Sequence, residues 1–125
     1  MEGSRGLGDV YKRQDIGLAG KIQLDTISSV LKDISKKIPE DINWVLRVDG
    51  HTDKTPLSQN SIFRDNWELS QARSLSVVRY MINVQEINPK RLSAAGFGEH
   101  QPISFSNSNE ALARNRRIEF KLTER

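Results

Sequence analysis

Apolar residues recur at helical spacing from Ile22 to Ile38, where Ile27, Val30, Leu31, Ile34 and Ile38 share one stripe and Lys32, Lys36 and Lys37 lie off it. Gly20 precedes this segment and Pro39 stops it, so a first helix is predicted there. From Asn43 to Asp49 the pattern changes. Trp44, Val45, Leu46 and Val48 leave little polar face, which predicts an interior strand ending at Gly50. Residues 50–66 are polar and contain Pro56, and a loop of that length inside a compact domain is usually functional. A second helix is predicted from Trp67 to Val84, with Leu75, Val78, Met81 and Ile82 inward, Asn66 as its N-cap and Glu68 in its first turn. Arg91 to Ala95 reads as a second strand, and Asn109 to Asn115 as a short helical turn. Strict alternation of Ile118, Phe120 and Leu122 with Glu119, Lys121 and Thr123 gives a closing half-buried strand. The order is that of an α+β fold, with helices on one face of a small sheet.

Composition narrows the function classes. The 125 residues suit one domain. A net charge of +3, from 19 basic and 16 acidic residues mostly interspersed, is too weak for a dedicated nucleic-acid binder. Without cysteine there is no disulfide, thiol catalysis or Cys-based zinc site. No stretch approaches the roughly 18 apolar residues of a membrane span. Residues 1–14 are Gly-rich, polar and aperiodic, and lack the apolar core of a signal peptide. They read as a non-native or disordered head, leaving residues 15–125 as the domain.

Three segments carry candidate chemistry. Gly50-His51-Thr52-Asp53 surfaces where the interior strand ends, a common place for a binding site, although Gly, Thr and Asp also favour ordinary turns. Arg73 follows a helix start, where a guanidinium fork and free N–H groups together suit a carboxylate; a solvated arginine paired with Glu68 or Asp65 would also satisfy the pattern. Arg114, Asn115, Arg116 and Arg117 make a basic turn that leaves a nucleic-acid or other anionic-ligand module open as the alternative. No aromatic residues are interleaved there for base stacking. Catalysis would have to rest on His51, His100 and Asp53, with no nucleophile elbow in view.

Taken in order, Gly50–Asp53, Asn66–Arg73 (NWELSQAR), Arg91–Pro102 (RLSAAGFGEHQP) and Asn115–Glu119 (NRRIE) resemble the OmpA/MotB-like peptidoglycan-binding family. The long loop after Asp53 and the Asn-Trp-Glu-Leu-Ser run look like the branch of flagellar stators and inner-membrane anchors. The resemblance implies a βαβαββ sandwich with two main helices on one face of a small mixed sheet. Its first strand would be missing or replaced, since the suspect head occupies that place.

It also implies a non-enzyme, without cofactor or metal, that binds peptidoglycan through the diaminopimelate of the stem peptide. Asp53 would take the amino end and Arg73 the carboxylate, with Thr52, Asn115 and Arg116 lining or supporting the groove. The parent would be a membrane-attached envelope protein in the periplasm of a Gram-negative bacterium, and a vacant sheet edge would allow a homodimer. Asp53 and Arg73 are expected to make little core packing.

Overall fold

The structure is a computed structural model that describes residues 16–125; the head read as non-native lies outside the described residues. Helix α1 runs over Leu18–Ser35, strand β1 over Trp44–His51, helix α2 over Asn66–Asn83 and strand β2 over Leu92–Gly96. A short helix α3 (Asn109–Asn115) then leads into strand β3 (Arg117–Glu124). The sheet order is β2-β1-β3, with β1 parallel to β2 and antiparallel to β3. This is the expected small mixed α+β sheet, with the interior strand at its centre.

One sheet face carries the core. Trp44, Leu46 and Val48 alternate toward Leu24 and Leu31 of α1 and Val77, Val78 and Met81 of α2, joined by Leu92, Ala94, Ile118 and Phe120 from the flanking strands. Both long helices therefore cover the same face. The stripe on α1 sits about one position round from expectation. Leu24, Ser28 and Leu31 are buried, while Val30 and Ile34 lie on its exposed flank, and Gly20 falls inside the helix. Ser28 donates to Gln85, whose amide donates to Asp25, so a polar clasp ties α1 to the turn that follows α2.

Helix α2 packs onto the sheet through polar and small residues. Ser70 and Ser74 are fully buried. Ser74 Oγ donates to the Ala95 carbonyl at 2.8 Å, and Ser70 Oγ accepts the Gly98 N–H at 2.9 Å. They meet Gly50 and Gly96, which are register partners on the helix-facing side of β1 and β2. A Cβ on Gly50 would stand 2.2 Å from the Ser70 carbonyl oxygen, and one on Gly96 would stand 2.6 Å from the Gln71 nitrogen. Only hydrogen fits at either position, which is how backbone comes so close to backbone.

Among the described residues the opposite face is covered by charged side chains and the Phe97 ring rather than by a second layer. Arg47 donates to both Asp49 carboxylate oxygens, at 2.6 and 2.9 Å, and lies over the Phe97 ring. Phe97 stacks on His51 with centroids 5.1 Å apart, and Arg117 donates to Glu119.

Candidate ligand-binding site

The loops leaving β1 and β2 emerge at the same edge, because the two strands are parallel. β3 begins there too, since its first residue pairs with His51. Ligands of open sheets with parallel strands gather at this carboxyl edge. Thr52 is buried, with its N–H donating to the Gly98 carbonyl and its hydroxyl to the Asp53 carbonyl. Asp53 is 7% exposed. Its Oδ1 accepts the Thr55 N–H at 2.8 Å and its Oδ2 the Arg116 guanidinium at 2.5 Å. Burial opposes ionisation of this carboxyl, but the hydrogen bonds from Thr55 and Arg116 outweigh it and hold the pKa below the ordinary aspartate value. A carboxylate has about four acceptor sites, so these two donors leave room for a ligand ammonium.

Helix α2 begins against this loop. Asp65, not Asn66, is the N-cap, accepting from the Glu68 N–H. Asn66 does something the sequence did not disclose: its side-chain amide reaches the Asp53 and Thr55 carbonyls and Glu99, tying three segments together. Glu68 accepts from Arg64, so neither acid assigned to Arg73 as a surface partner is idle. Arg73 is 8% exposed, seven residues beyond Asn66 on the same helical face. Asn66 and Arg73 are thus both buried residues of this helix, at its start and two turns on. The expectation of little packing at Asp53 and Arg73 is therefore corrected: both are buried.

Asn115 is buried and acts on the next loop. Its Oδ1 accepts from the Ile103 and Ser104 N–H groups, and its Nδ2 donates to the Ser104 carbonyl. It supports the edge rather than offering its amide outward. Each arginine of the basic turn is already engaged: Arg114 with Ser104 and Glu110, Arg116 with Asp53, Arg117 with Glu119 and the Gln101 carbonyl. Cations already paired with acceptors of the fold make a poor phosphate-binding stripe, so the nucleic-acid alternative is not favoured. Among the described residues no cluster of three or more His, Cys, Asp or Glu could hold a metal.

His51 is 3% exposed, and neither ring nitrogen has a hydrogen-bond partner among the described residues. Burial, then Arg117, pushes its pKa below 6.5, while the Arg117 hydrogen bond lowers that of Glu119. These shifts have one sign. The unfolded chain takes up protons before the folded one does, so stability falls as pH drops. The first loss begins below about pH 6.5, as His51 lags its unfolded counterpart. The second comes as pH falls below the unfolded carboxylate values of 3.8 for Asp53 and 4.5 for Glu119. Melting temperature should therefore fall in two stages on acidification. His51→Phe, which keeps a ring against Phe97, should remove the first; an unchanged profile would show that another group titrates.

Fold and site together define an α+β domain whose charged loops meet at one edge of a mixed three-stranded sheet. The chain belongs to the OmpA family, which it matches over residues 12–116. It is 36% identical to Motility protein B of Bacillus subtilis over 72 residues, 58% of this chain and 27% of that protein. With the Peptidoglycan-associated lipoprotein of Pseudomonas aeruginosa it shares 28% identity over 74 residues, 59% of this chain and 40% of the relative. The crystal structure of a MotB-like protein from Desulfovibrio vulgaris superposes with a TM-score of 0.72 at 34% identity, covering 90% of this chain and 64% of that one. The chain spans well under half the length of the curated relatives it matches. Among the described residues no helix is long and apolar enough to cross a membrane.

Proposed function

We propose that this domain binds peptidoglycan non-covalently through the diaminopimelate of the stem peptide, and so holds a bacterial envelope protein to the cell wall. The observation that carries the reading is the pairing of chemistries at one edge. Asp53 is an ionised carboxylate kept charged by Thr55 and Arg116, and Arg73 is a guanidinium on the helix face that begins at the same loop. An anion and a planar fork together match a zwitterionic amino-acid terminus. Thr52 and Asn115 shape the two loops, and Arg116 orients Asp53. The name of the Pseudomonas relative, a peptidoglycan-associated lipoprotein, supports peptidoglycan as the partner. The parent protein would be membrane-attached and periplasmic, and β3, hydrogen-bonded to β1 alone among the described residues, leaves room for a homodimer.

The reading has a direct test. Lysine-type stem peptides lack the second carboxylate that Arg73 would bind. Calorimetry should give tight binding of diaminopimelate muropeptides, with the lysine type weaker by about tenfold to a hundredfold, the value of one charge-assisted hydrogen bond. Equal affinities would sink the assignment of Arg73.

A further inference from the structure

Beside the Asp53 loop stands an aromatic pair that the stem-peptide reading leaves unused. Trp67, the second residue of α2, is 50% exposed, whereas Trp44 is 5% exposed and part of the core. The Trp67 ring stacks on His100, with centroids 4.8 Å apart and planes inclined by 28°. Gly98, at φ 64°, fits against both: a Cβ there would lie 3.3 Å from His100 Cδ2 and 3.4 Å from Trp67 Cδ2.

Two hydrogen-bond chains tie the pair to the site. Ser70 Oγ donates to the Trp67 carbonyl and accepts the Gly98 N–H, while the Gly98 carbonyl accepts the Thr52 N–H. Asn66, next to Trp67, donates to the Asp53 carbonyl and to Glu99, next to His100. An indole left half in water forgoes the burial that stabilises the other large apolar residues.

We infer that the Trp67–His100 pair is a carbohydrate subsite, on which a sugar ring of the glycan strand stacks while its stem peptide reaches Asp53. The inference rests on the peptidoglycan reading of that site. The face of an indole carries the negative part of its quadrupole. The axial C–H groups on one face of a pyranose are weakly positive and apolar, and its hydroxyls project from the rim toward water and polar neighbours such as Glu99. Stacking on His100 restricts the indole before the ligand arrives, so less side-chain freedom is lost on binding. The sugar and the stem peptide are covalently joined, so occupancy of one subsite raises the effective concentration at the other.

The test compares a free diaminopimelate tripeptide with the same peptide carrying its disaccharide, by calorimetry on the full chain. Trp67→Ala should weaken the disaccharide peptide about tenfold and leave the free tripeptide unchanged, and Trp67→Phe should restore most of the loss. Tryptophan emission should shift when the disaccharide peptide binds and stay still in Trp67→Phe, because Trp44 is buried. Equal losses for both ligands, or no loss for either, would overturn the subsite. Wild-type protein that bound the tripeptide with no gain from the sugar would remove the platform and leave the Asp53 reading intact. Binding of neither ligand would remove both.

Discussion

Replacing Gly50 by alanine should cost about 3 kcal/mol or more, at the upper end of what overpacking a core produces. The reason is the atom in the way. The new methyl would stand 2.2 Å from the Ser70 carbonyl oxygen and 2.5 Å from Ser74 Oγ, and the first of these is backbone. A backbone atom cannot rotate aside, so α2 itself must move off the sheet. That would strain the Ser74–Ala95 and Ser70–Gly98 hydrogen bonds. An ordinary domain is only about 5–15 kcal/mol more stable than its unfolded chain, so urea unfolding should show a much lower midpoint with an unchanged slope. Gly96→Ala meets the same turn of α2 at Gln71 and Ser70 Oγ. One displacement relieves both clashes, so the double variant should lose less than the sum of the singles. The same displacement carries Arg73 away from the Asp53 loop, and ligand binding should fall with it. A Gly50→Ala protein as stable as wild type would mean that the close helix–sheet contact is not required.

The second large effect is on binding. Asp53→Asn keeps the shape and an acceptor for the Thr55 N–H but removes the charge. Affinity for diaminopimelate muropeptides should drop by tenfold or more, a charge-assisted hydrogen bond being worth about 1.5–3 kcal/mol. Arg116 is 44% exposed at its side chain, so losing its partner strands no buried cation, and the melting temperature at neutral pH should fall only modestly. Arg73→Lys keeps the charge and loses the planar fork, and should be nearly as damaging to binding. Alanine at either position is a poorer probe, because both residues are buried and truncation adds a packing cost. Full binding by Asp53→Asn would remove the ammonium contact from the proposed mechanism.

These two effects separate what could be read along the chain from what could not. The strand at residues 44–51, the alternation from Ile118 to Leu122 and both long helices are local periodicities, and each reports its own element. Motif order along the chain pointed to the family, and with it to Thr52, Asp53, Arg73, Asn115 and Arg116. Val78 and Met81 of the buried stripe of α2 were legible, but its first turns escaped because they are mostly polar. Ser70, Arg73 and Ser74 sit among Leu69, Val77, Val78 and Met81, and a search for apolar spacing passes over them.

The sequence by itself determined which segments form helices and strands, and which charged residue types were available to a site. Only the tertiary structure decided that Gly50 and Gly96 face each other in register under Ser70, that Asn66 ties the Asp53 loop to Glu99, and that Arg116 pairs with Asp53 across 63 positions. The physical reason is one of range. Periodicity follows from the geometry of one backbone element. Contacts between distant residues depend on how several elements pack at once, and no stretch of a single chain carries that information locally.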